Sequence, residues 1–186
     1  MSIQGTGLAG IMCALAEAED VVISDYPAPG ILANISVNVN KNVPKSHRLK
    51  TSVKGHEWGV LNDEFSTAYA NSFSRIIAAD CLWMPHEHRS LAHSIFHFLS
   101  HEDDARVWVI AGFHTGRAKL APFFDIVVEE GLEIESIWER DVDGHEKEWK
   151  AERDGGKEDV TGRKRWLVIA VLKHKRPDGG SLAFSV

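Results

Sequence analysis

Cysteine is scarce in this sequence of 186 residues, and positive charge is outnumbered by negative charge. The two cysteines, Cys13 and Cys81, are too few for a disulfide framework or for a zinc site built from cysteines, which indicates an intracellular protein. Asp and Glu number 27 against 21 Lys and Arg, giving a formal charge of −6. A dedicated nucleic-acid-binding protein would carry a basic face, so this balance argues against that class.

Long apolar runs are missing as well. No stretch of the sequence approaches the roughly 20 apolar residues that span a membrane. The first residues also lack the basic segment that begins a signal peptide. We therefore expect a cytoplasmic protein with no membrane partner. The length suffices for a sizeable core and no linker divides it, which predicts a single domain over 1–186.

Short apolar runs alternate with segments of helical periodicity, and this order predicts an α/β fold. The runs at 106–113 and 165–173 are continuously apolar, which is typical of strands buried on both faces. The charged, glycine-containing segment 141–162 predicts an exposed, mobile loop before the last strand. The predicted strands are Val21–Asp25, 75–80, 106–113, 132–140 and 165–173, and the predicted helices are 8–18, 30–41, 87–100 and 122–130.

A glycine-rich loop near the start of the chain, Gly5-Thr6-Gly7-Leu8-Ala9-Gly10, matches G-x-G-x-x-G and runs directly into a predicted helix. Glycines permit a tight turn, and the N–H groups at the start of a helix can face a polar or anionic ligand. Asp25 ends the next apolar strand, where a carboxylate can accept hydrogen bonds from both hydroxyls of a ribose. The order of loop, helix, strand and acid predicts a site for a nucleoside-containing cofactor.

Two cofactor classes share this layout, the nicotinamide dinucleotides and S-adenosylmethionine. A dehydrogenase is expected to carry a proton relay such as Tyr-x-x-x-Lys. The residues four positions after Tyr26 and Tyr69 are Gly30 and Phe73, so neither tyrosine begins that motif. A glycine loop that only packs a helix is the structural alternative.

Four segments together resemble a known family: Gly5–Gly10, Asp25-Tyr26-Pro27, Glu57-Trp58-Gly59 and Ala78-Ala79-Asp80-Cys81-Leu82-Trp83. They are similar to the seven-strand, class I methyltransferases of the lysine methyltransferase type, which use S-adenosylmethionine. Within these, the similarity is greatest to the fungal nicotinamide N-methyltransferase-like branch, which includes the N-terminal and lysine methyltransferase of translation elongation factor one-alpha. The resemblance implies a Rossmann-like, mostly parallel sheet with an antiparallel final strand.

The resemblance also assigns roles to individual residues of the cofactor site. It implies that Gly5 and Gly7 lie under the methionine part of S-adenosylmethionine and that Asp25 holds the ribose. It further implies that Trp58 lies against the adenine and that Ala79 allows close approach of the cofactor. Tyr26, next to Asp25, is assigned to the same cofactor site.

Asp80 and Trp83 fall on the acidic-x-x-aromatic motif of the family, which the resemblance places near the substrate amine. From the residues alone, an acid and an aromatic ring after a parallel strand suit an amine or a pyridine-like ring. The structural alternative is that Asp80 caps the following turn while Trp83 packs at the rim of the sheet. Trp83 stands where the family often has tyrosine.

The start of the chain departs from the family pattern. Ile3 occupies the position of the first glycine, and the acidic residue expected before it would fall ahead of Met1. The sequence therefore predicts a sheet that lacks its first strand, in a methyltransferase domain that is incomplete at its N-terminus.

Ten histidines raise the question of a metal site. His93, His97 and His101 recur every four residues, which places them on one face of a predicted helix, opposite Leu91 and Ile95. Such a row is typical of a polar helix face, so no metal is expected.

These observations predict an S-adenosylmethionine-dependent N-methyltransferase with Asp80 and Trp83 orienting its substrate. The resemblance implies a protein amine, a lysine or an N-terminal amine, with a translation elongation factor as the protein partner. One alternative is an enzyme that methylates a small molecule of the nicotinamide type. The other is a truncated, inactive protein that keeps the fold of the methyltransferases.

Overall fold

In the computed structural model, which describes residues 1–3 and 6–176, strands and helices alternate along the chain. The strands are β1 (Ser2–Ile3), β2 (Val21–Asp25), β3 (Thr51–Gly55), β4 (Arg75–Ala79), β5 (Arg106–Gly112), β6 (Leu132–Asp141), β7 (Glu146–Glu148) and β8 (Trp166–His174). The helices are α1 (Leu8–Leu15), α2 (Pro29–Asn42), α3 (Lys45–Arg48), α4 (Glu64–Ala68), α5 (His88–Phe98), α6 (Arg117–Leu120), α7 (Pro122–Glu129) and α8 (Val160–Arg163). Short 3₁₀ turns occupy Pro85–Glu87 and Asp154–Gly156.

All the strands of the described residues form one sheet, in the order β3-β2-β1-β4-β5-β8-β6-β7. The five strands from β3 to β5 in this order pair in parallel, and β8 pairs antiparallel with both β5 and β6. This arrangement confirms the predicted Rossmann-like fold with an antiparallel final strand. No helix in the described part of the chain is long and apolar enough to cross a membrane.

The prediction that the first strand is missing needs correction, because β1 occupies the central position as a strand of two residues. Ser2 pairs with Ile23 of β2 on one side and with Ile77 of β4 on the other. The amide of Ile77 also donates to the carbonyl of Met1 at 2.9 Å. Because a strand between two others offers hydrogen-bonding groups to both sides, even this short segment bridges β2 and β4.

Helices α1 and α2 pack against β2 and form the smaller of two apolar clusters. Their apolar residues recur at helical spacing and meet the side chains of β2. Gly7 precedes α1 with a left-handed backbone (φ 75°), and a Cβ there would lie 3.0 Å from Cγ2 of Ile35. A glycine is therefore required where α1 begins. The buried members of this cluster are Ile11, Ala14, Val21, Ile23, Ile35, Val39 and Val43.

Helices α5 and α7 cover the central strands and form the larger cluster. Its buried members include Phe98 of α5, Phe123 of α7 and Val107 of β5. The prediction that β5 and β8 are buried on both faces was wrong, since their burial alternates along each strand. The face toward α5 and α7 is buried, whereas Trp108 and Ile110 on the other face of β5 are only partly covered. A continuously apolar run of sequence therefore does not require that both faces of the strand be buried.

Several regions differ from the sequence predictions in their secondary structure, and among them are the short helices α3, α4 and α6, where no helix was predicted. The prediction contained no strand at β3, which pairs with β2 at the edge of the sheet. Segment 141–162 is mostly exposed, as expected, but it contains β7, paired with β6, and the short helix α8. Buried Arg117 draws this segment toward the sheet, because its guanidinium donates to the carbonyl of Lys150 at 2.7 Å and to Glu158 at 2.8 Å.

Candidate functional site

A cavity of about 730 Å³ opens at the carboxyl ends of the parallel strands. It lies where β1 separates β2 from β4, the kind of switch point at which open α/β sheets bind their ligands. Six of the predicted site residues line it: Asp25, Tyr26, Trp58, Ala79, Asp80 and Trp83. The remaining lining residues are Thr6, Ile31, His56, Glu57, Cys81, Met84 and Glu87.

The two glycines predicted for the cofactor site do not line this cavity in the described part of the chain. Gly5 lies outside the described residues. Gly7 is buried under the side chains of Ile35 and Ile23, while its neighbour Thr6 lines the cavity. The carbonyl of Thr6 accepts a hydrogen bond from the side-chain amide Nδ2 of Asn38 at 3.1 Å, which ties the loop to α2.

Asp25 ends β2 with its carboxylate at the cavity. One carboxylate oxygen, Oδ1, accepts a hydrogen bond from the backbone N–H of Tyr26 at 2.7 Å. Partial burial raises the pKa of Asp25 above its ordinary value, and the bond from Tyr26 offsets part of that rise. The Tyr26 ring is 56% exposed beside it. This carboxylate is placed to accept hydrogen bonds from the hydroxyls of a ligand.

The turn after β4 brings three predicted residues to the cavity. Asp80 has a left-handed backbone (φ 56°), which is strained for a residue with a side chain. The turn is fixed by the Asp80 N–H, which donates to the carbonyl of Ile110 at 2.6 Å, and by the Gly112 N–H, which lies 3.4 Å from Oδ1 of Asp80. Ala79 lines the cavity with a side chain of one carbon, and Trp83 is 55% exposed at its mouth.

Trp58 lies on the loop between β3 and α4. Its ring is partly buried and packs against the larger apolar cluster while also lining the cavity. The next residue, Gly59, has a left-handed backbone (φ 81°), and its N–H donates to Oγ of Ser94 at 2.9 Å. An indole ring in this position offers an apolar face to a planar ligand.

Negative charge and aromatic rings dominate the cavity. Among the lining residues in the described part of the chain are four carboxylates and no lysine or arginine. Burial lowers the pKa of His56, which favours the neutral imidazole. Burial likewise raises the pKa of Cys81 far above its ordinary range, so its thiol is not suited to act as a nucleophile. The four carboxylates belong to Asp25, Glu57, Asp80 and Glu87.

Sequence reasoning overlooked several lining residues. Glu57 lay within the Glu57-Trp58-Gly59 match but was given no role, and His56, which directly precedes it, was not considered. A strand prediction for β3 would have exposed the pattern, because His56 directly follows that strand as Asp80 follows β4. Thr6 lay within the glycine loop but was given no role, and Ile31, Met84 and Glu87 carried no comparable signal.

The three histidines predicted to form one polar row lie in different environments. Nε2 of His93 pairs with Glu130 at 2.7 Å, whereas Nε2 of His97 is partly buried and bonds to the carbonyl of Ser66 at 2.8 Å. His101 lies beyond the end of α5, because the helix ends at Phe98. The prediction of a single exposed face was therefore wrong for His97 and His101.

One further group of potential metal ligands occurs among the described residues. Ligand atoms of Asp141, Asp143 and His145 lie within 4.8 Å of one another on an exposed turn. Oδ1 of Asp141 already accepts the backbone N–H groups of Asp143 and His145 at 3.0 and 2.8 Å. These bonds account for the turn without an ion.

Comparison with known proteins identifies the family to which the chain is similar. The profile of the lysine methyltransferase family matches residues 4–130. A protein N-terminal and lysine N-methyltransferase efm7 of Schizosaccharomyces pombe is 31% identical over 143 residues, which cover 73% of this chain and 54% of that protein. The protein of the same name from Aspergillus fumigatus is 29% identical over 148 residues, covering 74% of this chain and 55% of that protein.

Solved structures support the fold in the same way. A 16S rRNA (adenine(1408)-N(1))-methyltransferase from Catenulisporales acidiphilia, crystallised with its cosubstrate, superposes with a TM-score of 0.63 at 9% identity, covering 95% of this chain and 85% of that one. At this identity the likeness concerns the fold alone. The matched region spans about half the length of the two efm7 relatives. The family profile, which matches more than half of the residues, shows that the chain belongs to the lysine methyltransferase family.

Proposed function

We propose that this protein is an S-adenosylmethionine-dependent N-methyltransferase that acts on an amine of another protein. The observation that carries this proposal is the meeting of Asp25, Trp58, Ala79, Asp80 and Trp83 around one cavity. They come from the ends of β2 and β4 and from the loop after β3, so separate stretches of sequence supply one site.

The cofactor half of the proposed site comprises Asp25, Tyr26, Trp58 and Ala79. The Asp25 carboxylate would accept hydrogen bonds from the ribose hydroxyls, and the Trp58 ring would lie against the adenine. The small side chain of Ala79 leaves room for the cofactor beside β4. Gly7 supports this half indirectly, because it lets α1 begin close to β2.

The amine half of the proposed site comprises Asp80 and Trp83. S-adenosylmethionine supplies a methyl group already activated on a sulfonium. The nitrogen lone pair of a neutral amine would form the new N–C bond as the C–S bond breaks toward sulfur, and the nitrogen would then release a proton to water. Asp80 would orient the amine and Trp83 would shield it, so that alignment lowers the barrier by an amount on the order of 7–11 kcal/mol.

The substrate proposal rests on charge and on the relatives. The carboxylates of the cavity, with no lining lysine or arginine, favour a cationic segment of a partner protein. The efm7 relatives are named as protein N-terminal and lysine N-methyltransferases. By family resemblance we propose a translation elongation factor as the partner, which would place this protein in the cytoplasm.

Radiolabelled methyl transfer tests the proposal. Wild-type protein, an Asp25→Ala variant and an Asp20→Ala control are incubated with labelled S-adenosylmethionine and a cell extract. We expect label on a protein band with the wild type and the control, and its loss with Asp25→Ala. Purified elongation factor should then be labelled in the absence of any other extract protein. Cell fractionation tests whether the protein lies in the cytoplasm.

The other outcomes separate the alternatives. Transfer of label only to another small molecule, and not to a protein band, would contradict a protein substrate and support the nicotinamide type of reaction. A flat calorimetric titration of the wild type with S-adenosylmethionine would contradict both enzymes and support an inactive protein with this fold.

A further inference from the structure

A buried hydrogen-bond network joins the residues that flank Trp58 in the sequence. At its centre is the His56 ring, which is only 2% exposed although histidine is polar. Its Nε2 lies 2.8 Å from Oγ of Ser94, and its Nδ1 lies 3.4 Å from Oγ of Ser66. Both serines are fully buried, and the ring of Phe98 packs edge-on against His56.

The donors and acceptors of this network can be assigned from the surrounding bonds. The Ser66 hydroxyl donates to the carbonyl of Val60 at 2.8 Å, so at His56 it accepts, and Nδ1 carries the proton. Nε2 is then an acceptor, and the Ser94 hydroxyl donates to it. The same Ser94 oxygen accepts the N–H of Gly59 at 2.9 Å. The neutral imidazole therefore completes the network.

This network holds the loop of Trp58 from both sides. Ser94 of α5 bonds to His56, two residues before Trp58, and to Gly59, the residue after it. The backbone N–H of His56 also donates to the carbonyl of Asp25 at 2.8 Å. One hydroxyl thus anchors both flanks of Trp58, and the same loop is joined to the strand end that carries Asp25.

We propose that Ser94 and His56 are positioning residues that set the affinity for the cofactor by fixing the Trp58 ring at the wall of the cavity. This inference rests on the proposed function, in which Trp58 lies against the adenine. Neither residue needs to touch the reacting atoms. A ring held in place before binding loses less freedom when the ligand arrives, so anchoring contributes to affinity.

The decisive variant is Ser94→Ala, with Ser100→Ala as its matched control. Ser100 is also a buried serine, and its Oγ accepts the N–H of Glu102 at 3.2 Å, but it does not line the cavity. Both variants lose a buried hydroxyl, and Ser94→Ala should lower the melting temperature more, because it removes two hydrogen bonds rather than one. Calorimetry with S-adenosylmethionine should show a Kd about tenfold higher for Ser94→Ala and unchanged for Ser100→Ala.

A second pair of variants tests the histidine. His56→Gln keeps an acceptor for the Ser94 hydroxyl, whereas His56→Leu removes it. We expect His56→Gln to bind the cofactor more tightly than His56→Leu. In both, the rate at saturating cofactor should fall less than the affinity, since the amine half of the site is unchanged.

Amide hydrogen exchange reports on the anchor without any ligand. The Gly59 N–H should exchange faster in Ser94→Ala than in the wild type, and at the wild-type rate in Ser100→Ala. Equal cofactor affinity in Ser94→Ala and the wild type, while Trp58→Ala binds more weakly, would overturn the inference and leave the proposed function intact. A wild type that does not bind S-adenosylmethionine would overturn the proposed function, and the inference with it.

Discussion

The two ends of the sheet carry cavities of almost equal size, about 730 Å³ at the carboxyl ends of the parallel strands and about 700 Å³ at their amino ends. The amino-end cavity is lined by the starts of β2, β3 and β4. Its charged lining residues are mixed in sign: Glu19, Asp20, Lys50 and Arg75. The guanidinium of Arg75 is already bonded to Asp104 at 3.0 Å.

The carboxyl-end cavity differs in chemistry rather than in volume. Its charges are of one sign, and its exposed rings belong to Tyr26 and Trp83. The comparison teaches that cavity volume does not identify a site, whereas convergent polar groups at strand ends do.

The largest effect is expected at the carboxyl edge but away from the cavity, at Glu139. This carboxylate is fully buried and pairs with Arg117 at 2.7 Å, Arg153 at 3.1 Å and Lys147 at 3.4 Å. Glu139→Ala leaves a buried guanidinium with one carboxylate fewer, so the free energy of unfolding should fall by about 3–5 kcal/mol. Urea denaturation measures this loss.

The matched control for Glu139 is Glu146→Ala, which removes an exposed carboxylate 3.8 Å from Arg140 and should cost less than about 1 kcal/mol. Cofactor affinity of the folded Glu139→Ala protein should equal that of the wild type. A weaker affinity for the cofactor would show that residues outside the cavity lining also contribute to binding. The comparison between the two ends of the sheet would then have to include Glu139.

The next largest effect contrasts one aspartate from each cavity. Asp25→Ala removes two expected charge-assisted hydrogen bonds to the ribose, so the Kd for S-adenosylmethionine should rise about a hundredfold. Asp20→Ala, at the amino-end cavity, should leave it unchanged. Isothermal titration calorimetry measures both. Equal losses in the two variants would mean that the two cavities are not functionally distinct.

The strand ends that form the site were predictable from local pattern. The apolar run ending in Asp25 predicted β2 with its observed bounds, and the run before Asp80 predicted β4 to within one residue. The prediction of an apolar face on α5 was also correct, since Leu91, Ile95 and Phe98 are buried. Each of these elements buries a periodic row of apolar side chains, which is the information that a sequence carries most clearly.

Features that depend on contacts distant in sequence were not predictable. Edge strand β3 has only Val53 as a large apolar residue, and β1 depends on pairing with β2 and β4 rather than on its own two residues. Likewise, the charge of segment 141–162 indicated a solvated loop, whereas Arg117 lies 41 positions from its partner Glu158. The buried network at His56 joins residues up to 38 positions apart.

A smaller effect separates the amine half of the carboxyl-end cavity from its cofactor half. Trp83→Ala should lower kcat/KM for the protein substrate about tenfold, because its ring shields the reacting neutral amine from water. The Kd for S-adenosylmethionine should not change. Leu49→Ala, at an apolar side chain 94% exposed beside the amino-end cavity, is the control and should alter neither quantity. A loss of cofactor affinity in Trp83→Ala would show that the Trp83 ring belongs to the cofactor half of the cavity and not to its amine half.

The smallest effect concerns the pH at which the carboxyl-end cavity loses its ligand. Burial raises the pKa of Asp25, so its carboxylate gains a proton at a higher pH than an ordinary aspartate during acidification. Protonation neutralises the Asp25 carboxylate, to which the ribose hydroxyls would donate their hydrogen bonds. Cofactor affinity should therefore fall as the pH drops through that raised pKa. Calorimetry from neutral pH down to the ordinary pKa of an aspartate, about 4, measures the fall, with Asp25→Asn as a control that should show a flatter profile.

Stability should change in the opposite direction over the same titration of Asp25. A carboxyl group whose pKa is higher in the folded than in the unfolded state contributes stability that is full at low pH and is lost as the pH rises through the folded pKa. Relative to Asp25→Asn, the wild type should therefore gain stability on acidification while it loses cofactor affinity. If both quantities fell together, the carboxylate at the end of β2 would be serving the fold rather than the ligand, and the distinction between the two ends of the sheet would lose its main support.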